Sequence, residues 1–383
     1  MKLSSLPFLH DAGPLRGKRV LLRLDLDAPA LEGKLRDTHR IDSAKKTLAY
    51  LREQGAKTVI IGHIGRDPEE SLTPVFDYLK KDIPLVFVKT LTEAQERLSS
   101  LEDGTFLLLE NLRSFPGEVK NDPVFAKELA SLGDLFVNEA FAVSHREHAS
   151  IAGVPKLLPS FVGLVFEEEV KNISKAFSPE HPALVILGGA KFETKTPLIE
   201  RFLGIAEDIY VCGALANDIY KARGYETGTS LVSKCEISPV IFENPKIHVP
   251  SDVIAHSPSG NSVKGMDAVE KDEKIVDAGP NALDDIRALA EKAKFVLWNG
   301  PLGEYEAGFD AGTIALAQML AECDAETIIG GGDSLAIVSR LGLFERFSFV
   351  STGGGAMLEF LANETLPGIS ALEASARIMN HES

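Results

Sequence analysis

Short apolar runs alternate with helical patterns along most of the 383-residue chain, and this alternation restricts the fold more than any other feature. Arg19–Leu26 (RVLLRLDL) reads as a strand. Ile41–Gln54 predicts an amphipathic helix that stops at Gly55. Thr58–Gly62, Leu85–Val88, Phe106–Leu109 and Leu135–Val137 are further strand-like runs. A βαβα rhythm of this kind implies a parallel sheet with helices on both faces. Ligands of such sheets bind beyond the carboxyl ends of the strands. The loops that follow these runs are therefore where chemistry is expected.

The rhythm breaks near residue 160. Pro155 and Pro159 punctuate a loop, and Val165–Phe177 (VFEEEVKNISKAF) predicts one continuous helix. Ser178-Pro179 and Pro182 follow it. Strand-like runs then resume at Leu184–Leu187, Ile209–Cys212, Phe295–Trp298, Thr327–Ile329 and Phe347–Ser351. Two α/β domains, residues 1–164 and 178–365, joined by a helix over 165–177, are the simplest account. The length agrees, at about 150 residues per domain.

Composition removes other classes. Charged residues at 25 % and hydrophobic residues at 44 % exclude a disordered chain, a collagen and a coiled-coil rod. A net charge of −16 argues against nucleic acid or an anionic membrane as a partner. No apolar stretch reaches the ~18 residues of a membrane span. The start, MKLSSLPFLHDAG, is too short and too soon acidic for a signal peptide. Cys212, Cys235 and Cys323 are isolated, so neither a disulfide framework nor a zinc site is expected, and a cytoplasmic location is. Charge is uneven: residues 1–164 carry 22 basic and 23 acidic groups, the remainder 18 and 33. The first half thus keeps cations available for an anion.

Those cations fall in the loops after strands. Arg23, Asp25 and Asp27 surround the first strand end in RLDLDAP, and Arg40 opens the next helix. His63 and Arg66 lie in GHIGRD, Arg113 in LLLENLR, and Arg146 in NEAFAVSHREH between His145 and His148. Parallel strands end on one edge, so these groups should converge. Arginine forks suit phosphate and carboxylate oxygens. The result would be a site for a small, highly charged anion. His145 and His148 lack the carboxylates or thiols that would make them metal ligands.

In the second half the corresponding loops are rich in glycine. LGGAKFETK presents Gly188, Gly189, Lys191 and Lys195; WNGPLGEYE presents Asn299, Gly300, Pro301 and Glu306. VCGALAND, GGGDS and STGGGA complete the set. Glycine permits close backbone approach, and N–H groups at helix starts bind phosphate. Asp333, beside the glycines of GGGDS, suits Mg²⁺ carried on a nucleotide. No GxxxxGK[ST] and no GxGxxG occurs, which removes a P-loop enzyme and most support for a dinucleotide-dependent dehydrogenase.

Taken together, GKRVLLRLD, DTHRI, GHIGR, LLLENLR, NEAFAVSHREHAS, LGGAK, LWNGPLG, GGGDS and STGGGAMLEFL occur in the order and spacing of one family. The chain resembles the phosphoglycerate kinases along essentially its whole length. The resemblance implies two Rossmann-like parallel-sheet domains with a hinge and a cleft between them, open without ligands. It implies reversible phosphoryl transfer between 1,3-bisphosphoglycerate and MgADP, giving 3-phosphoglycerate and MgATP, by a monomer. The first domain would hold the glycerate through Arg23, Asp25, Leu26, Asp27, Arg40, His63, Ile64, Gly65, Arg66, Arg113 and Arg146. The second would hold ATP or ADP through Gly189, Ala190, Lys191, Lys195, Gly213, Asn299, Pro301, Glu306, Gly331, Gly332, Asp333 and Ser334. Arg40, Lys191, Lys195, Gly331 and Gly332 would act on the moving phosphoryl group, and Asp333 would place the Mg²⁺. A tail from about residue 366 to 383 would return to the first domain.

The sequence also departs from the family pattern. Asp27 replaces an asparagine, placing a negative charge near an anionic substrate and predicting weaker glycerate binding. Asp67 replaces a proline, which predicts a looser loop; Glu139 replaces an aspartate; Ala142 and Val143 replace a glycine–threonine pair. Ala214 narrows the expected base-side wall of the nucleotide site, and Asp218 adds an acid there. The alternative function is a catalytically weak relative that binds nucleotide or a partner.

Overall fold

A computed structural model describes residues 6–28, 30–31, 33–36, 38–190, 192–234 and 236–382. The chain divides into two compact units, one running to Lys171 and resuming at Asn363, the other spanning Asn172–Ala362.

The first unit contains β1 (Arg19–Arg23), β2 (Ala30–Leu31), β3 (Lys34–Leu35), β4 (Lys57–Ile61), β5 (Leu85–Val88), β6 (Phe106–Leu109), β7 (Leu135–Asn138) and β8 (Ser160–Val162). Six of these form one parallel sheet in the order β5-β6-β4-β1-β7-β8, while β2 and β3 pair as a small antiparallel ribbon. The alternation of side chains along β1 feeds both faces. Val20 and Leu22 pack with Ile41 and Leu48, whereas Leu21 packs with Val59, Leu107 and Leu129. A strand covered on both faces has to be apolar throughout, and for this reason these runs read so clearly in sequence.

The helix His39–Glu53 buries Ile41, Ala44, Thr47, Leu48 and Leu51, a three-and-four spacing that keeps one face inward. Gly55, at φ 71°, supplies the left-handed residue just past its end. Parallel pairing sets Arg23 between Ile61 and Asn138 at the carboxyl edge. The chain leaves β1 toward β4 on one side and β7 on the other, so a crevice opens at that switch point. The helix Pro367–Glu382 belongs to this unit: Gly368 N donates to Ser144 O (2.9 Å) and Ser375 Oγ to Leu158 O (3.0 Å).

The second unit contains β9 (Ala183–Leu187), β10 (Asp208–Val211), β11 (Ile247–His248), β12 (Asp252–Ser257), β13 (Gly260–Gly265), β14 (Lys274–Ala278), β15 (Phe295–Asn299), β16 (Glu326–Gly330) and β17 (Phe349–Val350). The parallel sheet runs β11-β10-β9-β15-β16-β17, and β13-β12-β14 form a separate antiparallel sheet. With the antiparallel insertion set aside, this is the doubly wound order, whose switch point lies between β9 and β15. Pairing there sets Asn299 between Leu187 and Gly330.

Three elements differ from the sequence reading. The first strand stops at Arg23 instead of Leu26, because Asp27 N turns to Asp25 Oδ1 (3.3 Å) rather than to a neighbouring strand. The helix expected over Val165–Phe177 is α-helical over Leu164–Ile173 and tightens to a 3-10 turn over Ser174–Phe177. Ser160–Val162, just past Pro159 and left unassigned by the sequence reading, is the edge strand β8; a run of three residues carries no periodic signal. The antiparallel sheet was also silent, since β13 (GNSVKG) is almost wholly exposed. Among the described residues no helix is long and apolar enough to cross a membrane. Cys235 lies outside the described residues.

Candidate active site

In the first unit the loops after β1, β4, β6 and β7 bring the cations together. Arg113 is held below its usual value by burial and by the positive charges of Arg146 and Arg66, partly offset by Asp27. Burial, then Arg23, Arg113, Arg146 and His148, keep His63 neutral. Cations that feel one another this strongly stabilise a bound anion. Arg40 stands in the first turn of its helix and pairs with Asp25 at 3.3 Å. Burial pushes the Asp25 carboxyl up, and the Arg40 charge is the main opposing influence.

Arg23 does not join the open patch, which corrects the sequence reading. It is fully buried. Its Nε donates to Ser150 Oγ (3.0 Å), its Nη1 to Leu24 O, and its Nη2 to His63 Nδ1 (2.8 Å). Leu26 and Ile64 are core side chains, so neither presents its side chain to a ligand. The Gly65 N–H is already taken by Asp27 Oδ1 at 2.9 Å. Arg66 is exposed, and Arg113 and Arg146 are half-buried.

Sequence reasoning missed the groups beneath. Asn111 is buried, with Nδ2 donating to Ile64 O (3.0 Å) and Glu70 O (2.7 Å) while Oδ1 accepts from Arg113 N (3.1 Å). It shapes the loop that presents Arg66, and its only signal was its place in LLLENLR. Glu118, also buried, accepts from Ser150 N (2.9 Å) and Ser150 Oγ (2.5 Å). Nothing in its sequence surroundings singles it out.

The departures take structural form here. Asp67 Oδ1 accepts from Glu69 N at 2.9 Å, so it braces the loop that loss of proline was expected to loosen. Glu139 is buried and accepts from Thr47 Oγ1, Val165 N (3.0 Å) and Phe166 N (3.3 Å). It thereby caps the helix Leu164–Ile173, and burial pushes its carboxyl up to about 7. Val143 is buried and Ala142 half-buried.

In the second unit the glycine loops touch backbone to backbone. A Cβ on Gly188 would lie 2.1 Å from Pro301 O, and one on Gly300 2.3 Å from Gly188 O. A Cβ on Gly213 would meet Gly189 N and Pro301 O at 3.0 Å. Only glycine permits the loops after β9, β10 and β15 to close this tightly. They border a cavity of about 380 Å³ lined by Gly189, Ala190, Gly213, Ala214, Pro301, Glu306 and Asp333, with Tyr220, Leu231, Val253 and Ile275 as its apolar wall. A cavity of this size, apolar with polar groups at one end, fits a nucleoside.

Lys195 lies beneath these loops, 7 % exposed. Its Nζ donates to Asn299 Oδ1, and burial lowers its pKa to about 8. Ser334 is buried and accepts from Gly300 N (3.0 Å), so it locks a loop instead of facing the cavity. Gly331, at φ 100°, caps the helix Gly332–Arg340, and Asp333 is exposed on its first turn. Lys191 lies outside the described residues. Asp218 is not on the cavity wall, against expectation: it is buried, with Oδ1 accepting from Ser233 N and Ser233 Oγ, both at 2.7 Å. Mg²⁺ commonly binds through one or two carboxylates plus substrate phosphates. An exposed Asp333 at the cavity rim fits that mode.

A family model described as phosphoglycerate kinase matches residues 9–364. A phosphoglycerate kinase of Herpetosiphon aurantiacus is 41 % identical over 379 residues, covering 93 % of this chain and 96 % of that one. One from Thermus thermophilus is 40 % identical, covering 95 % and 99 %. The solved structure of phosphoglycerate kinase from Coxiella burnetii superposes with a TM-score of 0.84 at 36 % identity, over 97 % of this chain and 100 % of that one. The structure of the Pyrococcus horikoshii enzyme gives 0.85 at 29 % identity, with the same coverage.

Proposed function

The chain belongs to the phosphoglycerate kinase family, and from that premise we propose how its own residues carry out the transfer between 1,3-bisphosphoglycerate and ADP that yields 3-phosphoglycerate and ATP. The observation that carries the reading is the cation cluster of the first unit. Arg113 is depressed by burial first and then by the charges of Arg146 and Arg66, and such mutual repulsion suits a site that awaits a multiply charged anion.

Phosphoryl transfer asks little covalent chemistry of a protein; it asks for alignment, positive charge and exclusion of water. Arg66, Arg113 and Arg146 hold the glycerate's phosphate and carboxylate. Arg40 is oriented by Asp25 and stabilises charge as it develops on the moving group. The cavity beside Gly189 and Gly213 takes the nucleoside, with Glu306 at the ribose. Lys195 and the N–H groups of Gly331 and Gly332 receive the nucleotide's phosphates, with Lys191 acting on the transferring group. Asp333 would hold Mg²⁺, which when bound offsets the charge of the nucleotide phosphates. The glycerate and nucleotide groups belong to different units, so bending near the connecting helix forms part of the proposal. A monomeric, cytoplasmic enzyme of glycolysis completes it.

A coupled assay of the purified chain with MgATP and 3-phosphoglycerate tests this. Turnover is expected, and Arg40→Ala should lower kcat on the order of 10²-fold, as loss of one transition-state donor does. A folded chain that binds MgATP and 3-phosphoglycerate yet shows no turnover would overturn the reaction.

A further inference from the structure

Five side chains connect the interior of the first unit to its open edge. Glu118 and Arg23 are buried, and Ser150 joins them: it accepts from Arg23 Nε at 3.0 Å and donates to Glu118 Oε1 at 2.5 Å. The opposing charges of Glu118 and Asp25 offset the cost of burying the Arg23 guanidinium. That guanidinium then reaches His63 Nδ1 at 2.8 Å.

A guanidinium has five N–H donors and no acceptor. His63 Nδ1 must therefore be the acceptor of this pair and carries no proton. The ring proton is left on Nε2. His63 Nε2 is buried, has no hydrogen-bond partner among the described residues, and lies 3.8 Å from Asp27 Oδ2. The other oxygen of Asp27 already accepts from Gly65 N at 2.9 Å. Asp27 is 40 % exposed, at the position where the family pattern has asparagine. Burial first, and then the surrounding Arg23, Arg113, Arg146 and His148, keep the imidazole from gaining a second proton.

We propose that Arg23 is a positioning residue which fixes His63 as the Nε2–H tautomer, so that His63 turns a neutral donor toward Asp27 and steadies that carboxylate at the glycerate site. Gly65 N–H bonds one Asp27 oxygen, and the His63 Nε2–H dipole faces the other from 3.8 Å, an electrostatic contact beyond hydrogen-bond distance. The carboxylate stays turned toward the protein, and its repulsion of an anionic substrate is reduced. The histidine does this without adding or losing charge, because Arg23 determines where its one proton resides. The effect on substrate rests on the proposed glycerate site; the tautomer does not.

The test uses the whole chain labelled with ¹⁵N-histidine, with His63→Gln assigning the His63 resonances. At neutral pH and without substrate, Nδ1 is expected unprotonated and Nε2 protonated, and Asp27→Asn should shift the Nε2 resonance while Nδ1 stays in place. The opposite tautomer, or no response to Asp27→Asn, would overturn the inference. Arg23→Lys should give mixed tautomers and raise KM for 3-phosphoglycerate about tenfold, with KM for MgATP unchanged. In the Asp27→Asn background the same substitution should change KM by less than about twofold. An equal effect in both backgrounds would show that Arg23 acts on substrate by another route. If Arg23→Lys does not fold, the His63 tautomer in the unaltered chain and its response to Asp27→Asn decide the inference alone. If the resonances behave as expected and 3-phosphoglycerate is not turned over, the tautomer stands and the reaction assigned to the chain falls.

Discussion

Lys195 Nζ donates to Asn299 Oδ1, joining the helix Phe192–Leu203 to the end of β15 beneath the glycine loops. The pair places an ammonium where water is nearly absent, and burial lowers its pKa to about 8 from 10.5. A base whose folded pKa is lowered costs stability while charged. Between pH 8 and 10.5 the unfolded chain holds this proton and the folded chain does not, so stability rises with pH across that window. Lys195→Met should remove this rise and stabilise the protein below pH 8, by about 3 kcal/mol at most. The same variant should lose most of kcat. Denaturant unfolding of both proteins at pH 7 and pH 10 checks the first expectation, and equal differences at the two pH values would contradict it.

The backbone contact between Gly188 and Pro301 leaves no room for a methyl group. Gly188→Ala would set a Cβ 2.1 Å from a carbonyl oxygen, which a side-chain rotation cannot relieve. The loops after β9 and β15 must then part. The expected cost is about 3 kcal/mol, at the upper end for overpacking. MgATP affinity should fall with it, while 3-phosphoglycerate affinity, a property of the other unit, should not. Thermal unfolding and separate titrations of the two ligands read these effects apart.

What was legible in the sequence follows from this physics. A strand buried on both faces must be apolar throughout, so RVLLR, KTVII, ALVIL and FVLWN were visible. Parallel strands end on one edge, so the loop cations and glycines could be grouped without a structure. The antiparallel β12–β14 sheet was not visible, because its exposed strand has no apolar pattern. Within the site, residue type revealed which groups are charged but not which way they face. Arg23 and Arg113 look alike in sequence, yet one is wholly buried and bonded to His63 while the other is half-open. Asp218 looked like a wall of the nucleotide cavity and instead holds Ser233. Such differences depend on partners such as Ser150 and Ser233, more than a dozen residues away along the chain.

Glu139 and Gly163 are fitted to one another. A Cβ on Gly163 would lie 1.9 Å from Glu139 Oε2, the oxygen that accepts from Phe166 N. Gly163→Ala should displace that carboxylate and uncap the helix Leu164–Ile173, at a cost of about 2 kcal/mol. Burial raises Glu139 to about 7 from 4.5, so in the window between these values the folded chain holds a proton that the unfolded chain releases. The Glu139 contribution to stability therefore falls as pH rises from 4.5 to 7. Gly163→Ala should lessen that slope by letting the carboxylate reach water. Unfolding measured at pH 5 and pH 8 checks both parts.

Asp27 offers the last expectation. Its carboxylate stands among cations but also beside the place proposed for an anionic substrate, and it is open enough to water for salt to screen it. Asp27→Asn keeps an oxygen for Gly65 N–H and removes one negative charge. For a carboxylate this open to solvent the dielectric is close to that of water, where one charge about 4 Å away is worth about 1 kcal/mol. KM for 3-phosphoglycerate should accordingly fall about fivefold at low ionic strength, with KM for MgATP unchanged. Screening acts on the wild-type repulsion and has little left to act on in the variant, so the two KM values should converge as salt approaches ~1 M. If the difference instead persists at high salt, the variant's gain comes from a new hydrogen bond donated by the amide. If KM rises, the site has been built around the carboxylate, and the charge itself helps to hold the cations in place.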